Sequence, residues 1–151
     1  MKTVNMEGPL ETAVRLLARR DHTKTEVQLK LQRKGFNRQE VEQAILELSE
    51  RGYLNDERIK EQTIDKLIAE KRHGLRGISG KLRQMGLQVS GEQLREYCSE
   101  QEEWEIARDL LLKHFKTIEA DNFPRLVRYL ANRGFSSSIM TRLAEECRKH
   151  Q

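Results

Sequence analysis

The chain has 151 residues, enough for one ordinary globular domain or a short array of smaller units. It is 34% charged and 36% hydrophobic, its mean hydropathy is -0.79, and no run of consecutive apolar residues exceeds three. That excludes a transmembrane helix, which needs roughly 18 apolar residues. The net charge of +4 comes from 28 basic and 24 acidic residues, a weaker bias than a dedicated duplex-DNA binder carries, so position matters more than total.

The segment 1–12 reads as a tail, and Met1 to Leu10 lacks the apolar stretch of a secretory signal. Thr23 and Glu26 form a capping box that opens a helix stopped at Gly35. Asn37 and Glu40 open the next, where Val41, Ile45 and Leu48 recur at i, i+4, i+7 before Gly52. Asn55 or Asp56 caps a helix carrying Ile64, Leu67 and Ile68, with Gly74 as its stop. Another helix runs to Gly86, and Ser90 with Gln93 starts one more. Ile106 and Leu110 mark the following helix. Asp121 or Asn122 before Pro124 marks the next start, and Gly134 its end. The pattern predicts nine helices, short loops and no strands.

The order is periodic. Gly35, Gly86 and Gly134 stand 51 and 48 residues apart, and Phe36, Leu87 and Phe135 follow them. Leu31, Leu82 and Leu130 lie four residues before the glycines, and Val27, Ile78 and Leu126 lie eight before. One helix with a Schellman-type stop therefore occurs three times. The fold class expected is all-α: three tandem three-helix repeats, 13–52, 53–100 and 101–151, in an elongated, curved array.

Signals for chemistry are weak. Gly74 to Lys81 approaches a phosphate loop but has five residues between its outer glycines instead of four, and Leu82 where Ser or Thr should follow the lysine. The same stretch misses a nucleophile elbow, with Lys81 in place of the last glycine. Two cysteines without a CxxC give no disulfide framework and point to a reducing compartment. Cys147 and His150 are a two-ligand pair at a fraying end, short of a metal site. His22 is expected to be solvated or capping, Glu102 and Glu103 to lie on a solvated face, and Phe36, Tyr53, Tyr129 and Phe135 to pack in the core. Trp104 is expected to pack against the preceding helix. No catalytic residue, cofactor or metal is expected.

Positive charge is concentrated locally. Lys30, Arg33 and Lys34, with Arg38 close by, lie in an acid-free stretch. Lys71, Arg72, Arg76, Lys81 and Arg83 follow Lys66 in a stretch with one acid, Glu70. Arg125, Arg128 and Arg133 lie in a third stretch with none. Each cluster overlaps the repeated middle helix, so repeats stacked in register would line these residues into a basic stripe. Such a stripe attracts phosphates or an acidic protein surface in a salt-dependent way.

Ala13-Val14-Arg15-Leu16-Leu17, Arg20 through Val27, Lys34-Gly35-Phe36, Gly52-Tyr53-Leu54-Asn55-Asp56 and Arg133-Gly134-Phe135 resemble the signatures of the RecX regulatory proteins. The resemblance runs from about Ala13 to Lys149. It implies tandem three-helix repeats that lodge in the groove of the RecA filament on single-stranded DNA. It further implies inhibition of ATP hydrolysis, strand exchange and co-protease activity. The protein is separately expected to be cytoplasmic and monomeric, with no membrane role. The basic residues would then touch the filament or the DNA within it. The competing expectation is a helical repeat protein that binds nucleic acid without RecA. The chain departs from the family pattern at Arg72-His73-Gly74-Leu75, which lacks a first glycine and a proline, and at Gly77, where a basic residue is common. Asn55 replaces the usual Asp.

Overall fold

The structure, a computed structural model, describes residues 7–149. Among the described residues there is no strand. Nine α-helices follow one another: α1 (Pro9–Arg19), α2 (Lys24–Arg33), α3 (Arg38–Glu50), α4 (Asp56–Ala69), α5 (Leu75–Gln84), α6 (Gly91–Tyr97), α7 (Glu100–His114), α8 (Phe123–Asn132) and α9 (Ser137–Lys149). A short 3-10 turn, Ala120–Asn122, leads into α8.

Local chemistry sets most of these boundaries. Thr23 and Glu26 close a reciprocal capping box on α2, and Ser90 with Gln93 does the same on α6. Asn37 caps α3, and Asn55 accepts the Arg58 amide at 3.1 Å at the start of α4. At the far ends, Phe36 N–H donates to Leu31 O, Tyr53 N–H to Leu48 O and Phe135 N–H to Leu130 O. Gly35, Gly52 and Gly134 take the left-handed φ that lets the chain fold back so.

Two compact units emerge. One comprises the described residues up to Glu61 together with Met85–Leu87. Its core is Ala13, Val27, Leu31, Val41, Ala44, Leu48 and Leu54. The other comprises Gln62–Gln84 and the described residues from Gln88 onward. There α7, α8 and α9 bury Ala107, Leu111, Leu126, Leu130, Phe135, Ile139 and Leu143. Trp104 lies in this core, with the Arg142 guanidinium 5.5 Å from its ring centre.

Three sequence expectations fail. Gly74 does not stop α4. Lys71 takes the left-handed turn, at φ 53, and Gly74 instead sits at the start of α5. Tyr53 is 59% exposed and so is not a core residue. His22 is neither solvated nor the cap of α2, which is Thr23: it is buried, with Nδ1 2.9 Å from Arg20 O and Nε2 2.9 Å from Lys30 Nζ. Lys30 can only donate, so Nε2 must accept, and the ring proton sits on Nδ1.

Candidate partner-binding groove

A middle helix begins with free amides that need acceptors. The two units meet this need in the same way. In the first unit, Lys24 N–H donates to Asp56 Oδ1 at 3.0 Å, and Thr23 Oγ1 donates to Met85 O at 2.6 Å. Gly86, at φ 80, lies so close that a Cβ on it would come 2.2 Å from Thr25 Oγ1. In the second unit, Leu75 N–H donates to Glu103 Oε2 at 3.0 Å, Gly74 N–H to Arg133 O at 3.0 Å and Gly77 N–H to Gly134 O at 3.1 Å. Lys24 and Leu75 are both first helical residues, and Asp56 and Glu103 both come from the first turns of a later helix.

This joint explains the unusual glycines. A Cβ on Gly74 would lie 2.3 Å from Phe135 Cα, and one on Gly77 2.8 Å from Arg133 O. The start of α5 and the end of α8 therefore meet backbone to backbone. Here a side chain at position 77 has no room without a shift of the α8 end.

Glu103 corrects another expectation. It does not lie on a solvated face but is fully buried. Besides Leu75 N–H it accepts Ser136 N–H at 3.3 Å, Ser136 Oγ–H at 2.9 Å and Arg95 Nη2 at 2.9 Å. One carboxylate thus ties the start of α5, the residue before α9 and α6 together.

On this frame lies a groove of about 960 Å³ between α5, α8 and α9. Arg72, Arg76, Lys81 and Arg133 rim it, and Val127, Ala131 and Met140 line its apolar part. No Asp or Glu lines it. Arg76 and Lys81 are exposed and have no acidic partner among the described residues. Arg133 stacks on Tyr129, its guanidinium carbon 3.6 Å from the ring centre. Arg72 pairs with Glu70 at 3.2 Å, and His73 Nε2 lies 2.7 Å from the same carboxylate. The His73 hydrogen bond, opposed by desolvation and reinforced by Arg72, holds the Glu70 carboxyl below its ordinary value.

The structure thus brings Arg72, Arg76, Lys81 and Arg133 to one groove. Arg83 lines a neighbouring one of about 530 Å³ with Arg76 and Arg95. Arg125 lies 5.6 Å from the Phe115 ring centre, and Arg128 and Lys71 are exposed elsewhere in the second unit. In the first unit, Arg33 and Lys34 are exposed near the end of α2, while Lys30 is committed to His22. Sequence reasoning missed Arg95, Val127, Met140 and the anchoring role of Glu103. Only the tertiary fold brings these together.

Among the described residues no group of three or more His, Cys, Asp or Glu side chains could hold a metal ion. The Cys147–His150 pair lies partly outside the described residues. Cys98 and Cys147 are free and buried. Desolvation, with Glu102 and Glu103 adding to it and Arg95 opposing, pushes the Cys98 thiol to about 11, so it stays protonated near neutrality. No helix among the described residues is long and apolar enough to cross a membrane.

Fold and groove together describe an all-helical protein with a basic, part-apolar groove. Known proteins agree. Residues 10–48 match the model for the first three-helix domain of RecX. The regulatory protein RecX of Vibrio vulnificus is 35% identical over 131 residues, covering 83% of this chain and 84% of its own. That of Syntrophotalea carbinolica is 29% identical, covering 85% and 89%. The crystal structure of RecX from Lactobacillus salivarius superposes with a TM-score of 0.76 at 18% identity, over 93% of this chain and 95% of that one. The chain belongs to the RecX family of regulatory proteins.

Proposed function

We propose that this chain regulates the RecA recombinase in the cytoplasm by binding its filament on single-stranded DNA. Bound there as a monomer, it inhibits ATP hydrolysis, strand exchange and co-protease activity by occupancy, competing with the second DNA strand and with protein substrates. The observation that carries this reading is the α5–α8–α9 groove, whose rim cations Arg76 and Lys81 have no acidic partner among the described residues. Fixed charge without internal neutralisation attracts an anionic partner. Family membership supports the regulatory role. Occupancy needs neither a catalytic group nor a cofactor. The units 13–52, 53–100 and 101–151 each contribute one middle helix with its basic residues.

The test is to titrate the protein into RecA assembled on single-stranded DNA and follow ATP hydrolysis. Hydrolysis falls as the protein is added. A folded Arg72→Glu/Arg76→Glu variant inhibits less, because both side chains rim the groove. Hydrolysis unaffected by the wild-type protein at saturating concentration contradicts the reading.

A further inference from the structure

The groove is chemically specific beyond its sign. Single-stranded nucleic acid is held by exposed aromatic faces on which bases stack, alongside phosphate-binding cations. The lining here offers no such face. Phe135, its only Phe, Tyr or Trp, is 2% exposed, and the His73 side chain is 12% exposed and bound to Glu70. One face of the Arg133 guanidinium is already covered by Tyr129. What the groove does offer is apolar side chains, half-buried Val127 and Met140 with exposed Ala131, in one lining with Arg76 and Lys81. Methionine adapts its shape to an incoming apolar side chain. Apolar side chains and cations without acidic partners in one groove are the complement of an amphipathic helix whose polar side is acidic, the helix-in-groove mode of recognition.

We propose that the α5–α8–α9 groove is a docking site for an acidic amphipathic helix of a partner protein. Its apolar side chains would contact Val127 and Met140, and its carboxylates Arg76 and Lys81. The proposal deepens the filament reading and rests on it only in naming the helix as part of the filament protein. It assigns this groove to protein contact and leaves DNA phosphates to basic residues elsewhere. The absence of any carboxylate from the lining is what selects an acidic partner over a basic one.

The test uses fluorescence anisotropy with three labelled probes: a helix-forming peptide of Glu and Leu in amphipathic order, the same composition scrambled, and oligo-dT. The ordered peptide is expected to bind, the scrambled one at least about tenfold more weakly. Arg76→Glu/Lys81→Glu is expected to weaken the ordered peptide about tenfold or more, and Met140→Gln by about threefold. Arg76 and Lys81 are exposed, so the double variant keeps the fold, and thermal melts check both variants. Equal binding of ordered and scrambled peptides overturns the proposal. So does oligo-dT binding that these substitutions abolish while the peptide fails to bind, or a dimer of the chain that they dissociate. Inhibition of RecA by a protein that binds no peptide removes the groove assignment and leaves the filament reading intact. Peptide binding by a protein without effect on RecA does the reverse.

Discussion

Replacing Glu103 with alanine strips the acceptor from four donors at once: Leu75 N–H, Ser136 N–H, Ser136 Oγ–H and Arg95 Nη2. The Leu75 amide is buried, and an orphaned buried donor costs about 1–3 kcal/mol. Ser136 is half-buried, and its hydroxyl can turn toward Ser138 at 3.0 Å, so its share is about 1 kcal/mol. The Arg95 side chain is 32% exposed and regains some water, but Nη1 already lacks a partner. Its share is again about 1 kcal/mol after solvent screening. The sum is about 4 kcal/mol, within the range of about 3–5 kcal/mol for breaking a buried ion pair from one side. For a chain of this size that lowers the melting temperature by about 10 °C. Glu103→Gln keeps an acceptor but points an amide at Arg95, and is expected to lose about half as much. Thermal and urea unfolding followed by circular dichroism measure both. A Glu103→Ala variant within about 1 kcal/mol of the wild type would refute the reasoning that this carboxylate anchors the joint.

Glycine substitutions should separate by what a Cβ meets. Gly134→Ala combines φ 76 with a Cβ 2.2 Å from Gly77 N and is expected to cost more than about 3 kcal/mol, or to abolish folding. Gly80→Ala adds a Cβ within α5 into open space and is expected to raise stability by about 0.5–1 kcal/mol in the same melts. Thr23→Ala removes both the α2 cap and the bond to Met85 O and is expected to cost about 2 kcal/mol in urea unfolding. Burial raises the Glu26 carboxyl, but the Thr23 N–H bond and Arg20 outweigh it and leave it below its ordinary value. The unfolded chain therefore binds more protons than the folded one as pH falls through this range. The stability advantage over Glu26→Gln is present above the unfolded value and disappears as pH falls through the folded one, which melts across an acid series will show. Finally, Cys98 at about 11 has roughly one part in a thousand of thiolate at pH 8. Its reaction with a disulfide reagent should be slow in the folded protein and fast after denaturation.

The parts of this fold legible in the sequence are those fixed within one helical turn. Thr23 with Glu26, Ser90 with Gln93, and the glycines at 35, 86 and 134 act on neighbours three to five residues away, so spacing alone reveals them. Gly74, Glu103 and His22 were misread because spacing carries no trace of their partners' approach. Gly74 is needed by backbone near Phe135, and Glu103 is aimed at Leu75, Arg95 and Ser136. Taken locally, Gly74 looks like a helix stop and Glu103 like one acid in a solvated run. The candidate site was legible as three basic clusters, but not as a groove. Arg72, Arg76, Lys81 and Arg133 share one surface because glycine-on-glycine contact brings α5 against the end of α8. Val127 and Met140 gave no signal of a binding role, because at helical spacing an apolar residue reads as core.

The most direct measurement of the central claim compares binding of the labelled protein to RecA assembled on single-stranded DNA with binding to the same DNA bare, at physiological salt. The account predicts tight binding to the filament and negligible binding to bare DNA. Equal affinity for both, with no change when RecA is added, contradicts it.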